Sequence, residues 1–204
     1  MQDLFKNPQT ARPSLVFLLF SLSTLVVSGV LPAEAPSRAE PRTFTAKVAN
    51  VRMNAELVAQ GKSQEDQVSV TVPALLFAEP VRIDDVRKAG KHSVPEVDFL
   101  IRYRRANITG TAEEMLAFWH PDDREEKRQL MSRPEIFQAN RDYITKNPGL
   151  VLTGLVFQSD LVSVMSEQHG RMNLFTLTRH GGRYVLTDRA SADLELAIVE
   201  ASFQ

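Results

Sequence analysis

Four apolar runs follow one another late in the chain: LVLTGLVFQ (150–158), LVSVMS (161–166), RMNLFTLTR (171–179) and RYVLTD (183–188). The connections between them are Ser159-Asp160, His169-Gly170 and His180-Gly181-Gly182. Links this short cannot hold a crossover helix, so the runs must pair as antiparallel hairpins. Gly154 lies inside the first run, where a glycine marks a bulge or a sharp bend. A curled antiparallel sheet is therefore the element to which the rest of the chain must fit.

Before the sheet, residues 93–147 read as a string of helices. Pro95 suits a first helical position, where its missing N–H is not needed. Glu96 and Asp98 then sit at the positive end of that helix and Arg102, Arg104 and Arg105 at its negative end. The three arginines read as a solvated face matched to the helix dipole. Thr111-Ala-Glu-Glu114 and Ser132-Arg-Pro-Glu135 are capping boxes. Ile136, Phe137, Tyr143 and Ile144 are spaced to line one face of a helix lying on a sheet. Asn107-Ile-Thr109 fits a glycosylation sequon.

Further upstream, Phe44, Ala46 and Val48 alternate with polar residues, as do Val68, Val70 and Val72. The pattern predicts two antiparallel strands over 43–58 and 66–78, a β-hairpin extension within residues 43–92. Pro73 predicts an edge position or a break in the second strand. Residues 80–92 read as a polar connector. Leu194, Ala197 and Ile198 predict a short helix after the last strand.

Leu15 to Leu31 contains no charge. Its length lies between a signal-peptide core and a membrane span of about 20 residues. Ala33-Glu34-Ala35 offers a cleavage site, and Pro36 just after it disfavours cleavage. Residues 1–31 are thus a signal peptide or an anchor, and both readings export the rest to a periplasmic or other extracytoplasmic location. Residues 32–42 read as a disordered Pro/Ala-rich linker.

The 204 residues are 43% hydrophobic and 24% charged, in the range of folding chains. Lys6, Arg12, Arg38 and Arg42 face Asp3, Glu34 and Glu40 within residues 1–42, which leaves 20 basic and 22 acidic side chains elsewhere. That balance argues against non-specific nucleic-acid binding. With no cysteine, the chain holds no disulfide, thiolate zinc site or iron–sulfur cluster.

The run FLIRYRRANITGTAEEMLAFWHPDDREE, then a helix, then GLVLTGLVFQSDLVSVMSE and LFTLTRHGGRYVLTDRASAD resemble the NTF2-like (nuclear transport factor 2-like) superfamily over residues 93–204. The resemblance implies an α+β fold in which a curved antiparallel sheet wraps N-terminal helices and leaves a cone-shaped pocket. Here the cone would be preceded by the extra β-hairpin and the N-terminal apolar helix. Members include isomerases, dehydratases, small-ligand binders and assembly modules, and fold does not choose among them.

The chemistry in the sequence is sparse. Gly61-Lys62-Ser63 lacks the earlier glycine of a phosphate-binding loop, Glu56 standing in its place, and reads as a turn. His92, His120, His169 and His180 show no metal-ligand spacing, and no metal or cofactor is expected. His120 follows Trp119 and precedes Asp122 and Asp123, a setting for a general base or for an imidazole at a helix end. Tyr103, Trp119, His120 and Tyr143 are the candidate ligand-binding residues; Tyr103, Trp119 and Tyr143 lie on expected helix faces, which can border the pocket in an NTF2-like cone. No catalytic residue is assigned. Three functions follow as expectations. The first is a non-enzymatic exported module for a small apolar ligand or a partner protein. The second is an isomerase or hydro-lyase with an acid/base group in the pocket. The third is a subunit of an envelope assembly that dimerises through its sheet.

Overall fold

The computed structural model describes residues 39–168 and 171–203. The apolar run 15–31, the cleavage site at 33–35, the linker up to residue 38 and the His169-Gly170 turn lie outside the described residues. Among the described residues no helix is long and apolar enough to cross a membrane.

The fold is α+β. Its sheet is antiparallel throughout and runs in sequence order: β1 (Glu40–Lys47), β2 (Gln67–Ile83), β3 (Leu150–Gln158), β4 (Leu161–Gln168), β5 (Arg171–His180) and β6 (Arg183–Leu186). A helix α1 (Asn54–Ala59) lies between β1 and β2. Four more separate β2 from β3: α2 (Pro95–Thr109), α3 (Ala112–Leu116), α4 (Arg124–Met131) and α5 (Pro134–Lys146). After β6 comes α6 (Leu194–Ala201). Pro95 does open α2, and the Thr111 box is formed, with the Glu114 N–H donating to Thr111 Oγ1 at 3.2 Å and the Thr111 N–H to Glu114 Oε2 at 2.6 Å.

The upstream strands differ in extent from the pattern. β1 begins at Glu40, inside the stretch read as linker, and stops at Lys47. From there Val48, Val51 and Leu57 are buried at helical rather than alternating spacing, so the chain coils where a strand was expected. β2 runs on to Ile83, through Pro73 and Pro80. Pro73 breaks nothing, and although β2 as a whole is internal to the sheet, Pro73 itself lies where one side of the strand is open. It faces Pro41 on β1, and pairing with β3 begins only at Ala74. Neither neighbour therefore lacks a hydrogen bond that Pro73 would have donated.

Both faces of the sheet are buried. Phe44, Val70, Val72, Val156 and Met165 share one core with Leu196 and Val199 of α6. Leu152, Leu155, Val164 and Leu177 share another with Val97, Leu100 and Ile101 of α2. Leu150 and Leu152 join the same core as Leu155 and Phe157 although their spacing is not even. An extra residue in β3 explains this. The β3–β4 register shifts between Leu152 and Gly154, and the shift flips which side chains face α2.

Three expectations for the helices fail, the first being the Ser132 capping box: Arg133 stands at the N-cap of α5 with no side-chain cap bond, and the Ser132 hydroxyl donates to the Gln129 carbonyl. Ile136 and Tyr143 are 40% and 43% exposed, and of the expected face only Ile144 is buried. α5 packs on α2 and α4, because α2 already covers the sheet. Nor are the three arginines a solvated face. Arg104 is 4% exposed and donates to the Asn147 carbonyl at 2.9 Å, and Arg105 clamps the Val86 and Ala89 carbonyls. Burial lowers the Arg104 pKa. Asn107 of the sequon is 1% exposed and takes a hydrogen bond from Asn140, so no glycan can reach it.

Asp160, in the β3–β4 turn, holds the segment leading into α6. It accepts two hydrogen bonds from Arg189, both 2.8 Å, and one from Thr178 at 3.1 Å. The Arg189 guanidinium keeps its carboxyl below the ordinary aspartate value of 3.8. A depressed folded pKa means that the pair's contribution is complete above the ordinary value. It is lost as pH falls below that value and through the folded one. Arg189→Met should raise the Asp160 titration midpoint toward 3.8, read by carboxyl-carbon NMR. It should remove at most about 1 kcal/mol at pH 7 and less at pH 3, read by urea unfolding. A midpoint unmoved by the substitution would refute the pairing.

Candidate functional site

Among the described residues a wide opening, about 860 Å3, lies between the N-terminal end of α2 and the β5–β6 hairpin. The hairpin is possible because Gly181 and Gly182 take φ of +56° and +77°, the left-handed pair that a two-residue turn between twisted strands requires. It carries Arg179, His180 and Arg183 to one wall. Lys91, Arg102 and Arg124 approach from the loop before α2, from α2 and from α4. Phe99 and Phe118 supply an apolar floor, their rings edge-to-face at 5.5 Å.

The lining holds one carboxylate, Asp98, and it is engaged. It accepts from Arg102 Nε and from the His92 N–H, each at 3.1 Å. Arg179 donates to the Tyr184 hydroxyl at 3.2 Å and lies 4.7 Å over its ring. Tyr184 donates in turn to Glu96 Oε1 at 2.5 Å. Burial and then the Glu96 acceptor raise the Tyr184 pKa, so the phenol keeps its proton. Arg124 Nε donates to the Trp119 carbonyl at 2.9 Å. The side chains of Lys91 and Arg183 make no hydrogen bond or ion pair with any described residue.

The four candidate residues are not gathered into one pocket. Tyr103 packs behind the cleft floor, its ring 5.7 Å from Phe118 and 6.4 Å from Trp119. Burial raises its pKa. Trp119 lines a smaller cavity of about 230 Å3 beside α6, with Lys127 4.5 Å over its ring and paired to Asp188. The ring of His120 meets that of His180 edge-on at 4.9 Å, and its Nδ1 accepts from the Asp122 N–H at 3.3 Å. His120 thus touches the cleft only through its neighbour. Tyr143 stands on α5 and lines neither opening.

Pattern reading missed Lys91, Phe118, Arg179, Arg183 and Tyr184. A signal was present in RHGGRY (179–184), where two arginines and a histidine flank the glycine turn. Locally the two glycines specify only a hairpin turn, and nothing in the adjacent residues shows that the turn faces α2. Among the described residues no group of His, Asp and Glu could hold a metal ion.

Fold and cleft together define an α+β domain with a six-stranded antiparallel sheet, helices on both faces and a cation-lined cleft at the β5–β6 hairpin. No protein-family model, curated protein or solved structure matches the chain.

Proposed function

We propose that this chain is an extracytoplasmic, NTF2-like ligand-binding module, secreted or tethered by residues 15–31, with its binding site in the cleft between α2 and the β5–β6 hairpin. The observation that carries the reading is the size and make-up of that cleft. At about 860 Å3 it falls within the range of sites for drug-sized ligands, roughly 300–1,000 Å3, whereas the cavity at Trp119 falls below it. It combines an aromatic floor with five cations, of which Lys91 and Arg183 have no side-chain partner among the described residues.

The expected result is local. An amide NMR spectrum of the full chain in phosphatidylcholine nanodiscs, titrated with 1-naphthol as a neutral apolar probe, should shift at Phe99, Phe118, Gly181, Gly182 and Val185. Affinity of a fragment this small should be about millimolar. Shifts elsewhere with none at these positions would put the ligand in another place and end the reading.

One observation favours an enzyme as the second reading. Glu96 is 8% exposed and bound by Tyr184, and a carboxylate with a tyrosine donor is a pairing used in acid–base isomerisation. Glu96 does not line the cleft, however, and the Tyr184 O–H is already engaged in its hydrogen bond to Glu96. The assembly reading needs an exposed apolar sheet face. Among the described residues Leu76 is the one strand member of the large exposed apolar side chains.

A further inference from the structure

Resting on the cleft as the ligand site, we infer that the ligand is an amphiphilic anion: an apolar or aromatic body bearing a phosphate-monoester-type head. The whole chain is close to neutral, with 24 cationic and 25 anionic side chains. Its cleft is not. Lys91, Arg102, Arg124, Arg179 and Arg183 converge there against the single carboxylate of Asp98, which Arg102 already neutralises. Like charges drawn together from separate segments repel one another, so the cleft carries a positive potential that an anion relieves.

The details select the head. Arg124 and Arg179 are each anchored, by the Trp119 carbonyl and the Tyr184 hydroxyl, and each has further guanidinium donors beyond those bonds. Lys91 and Arg183 stand uncommitted, one before α2 and the other beyond the glycine turn. A dianion with several acceptor oxygens can engage several such donors at once, and a carboxylate fewer. The details also require a body. Half-buried Phe118 presents ring surface in the same cleft, with Phe99 buried behind it, and inorganic phosphate would leave that ring wet.

The test titrates the full chain in phosphatidylcholine nanodiscs by calorimetry with 1-naphthyl phosphate, 1-naphthoate, 1-naphthol and inorganic phosphate. Naphthyl phosphate should bind about tenfold or more tightly than naphthol or phosphate, and more tightly than naphthoate. Its affinity should fall several-fold between 50 mM and 500 mM salt, because the cations are open to solvent. Arg183→Ala and Lys91→Ala, both at exposed side chains, should each weaken it about tenfold and leave naphthol unchanged. Naphthol binding as tightly as naphthyl phosphate would overturn the inference and leave the cleft a binding site. No cleft binding by any probe would remove both. Nanodiscs with a tenth of their lipid as phosphatidic acid, whose head is itself a phosphate monoester, separate the sources. Loss of naphthyl phosphate binding there assigns the head to a lipid, and unchanged binding assigns it to a soluble amphiphile; either result supports the anionic head.

Discussion

Gly154→Val should destabilise the folded domain by about 3 kcal/mol, measured as a lowered urea midpoint. A Cβ at position 154 would lie 2.7 Å from the Leu75 carbonyl oxygen and 3.1 Å from the Leu76 Cα. Both are backbone atoms of the paired strand β2 and cannot rotate away. The site also sits where two irregularities meet. β2 advances from Leu76 to Val81 while β3 advances only from Gly154 to Leu152, and the β3–β4 register slips at the same place. This double bulge bends the sheet and sets the parity that turns Leu155 and Phe157 toward α2. A side chain there must open the β2–β3 ladder or undo the bulge, and undoing the bulge would turn buried leucines to the wrong face. Even Gly154→Ala should be harmful, by a smaller amount. A valine variant as stable as the parent would show that the two backbones do not approach this closely.

Leu196→Ala should cost about 3 kcal/mol by the same measurement, within the usual range for a leucine emptied from a closed core. Leu196 is 1% exposed and belongs to the core that α6 forms with β1 to β4. α6 contacts β1, β2 and β5, so it joins strands from both ends of the sheet. Collapse around the cavity would need those strands to move together, which a bulged and curved sheet resists. Leu194→Ala is the control, since Leu194 only flanks the core, and it should cost less than half as much. Equal losses at the two positions would mean that α6 is held by its surface and not by this core.

The candidate site was legible only in fragments. The pattern places Tyr103 and Trp119 on helix faces, but only Tyr103 lies on a helix; Trp119 stands beyond α3 in a β-bridge with Leu186, and each packs close to the cleft while serving a neighbouring layer. The cleft's cations are scattered in sequence from Lys91 to Arg183, and none forms a motif with its neighbours. Their shared chemistry exists only because the β5–β6 turn folds over the first turn of α2. Arg102, Arg104 and Arg105 make the same point in reverse. They are close in sequence and take three separate tasks, an ion pair with Asp98, a buried bond to Asn147 and a clamp on the Val86–Ala89 turn.

Local chemistry was sufficient for the elements. Short glycine-bearing links dictate antiparallel neighbours, Pro95 and the Thr111 box dictate helix starts, and Gly154 announces a bend, because each depends on a few adjacent residues and on backbone sterics. Tertiary structure alone decided the partners. That α2 and α6 cover opposite faces, that α5 rests on α2 and leaves Ile136 exposed, and that five cations meet beside two phenylalanines are consequences of long-range packing. Periodicity states which side of an element is apolar, but not which of several apolar surfaces will cover it.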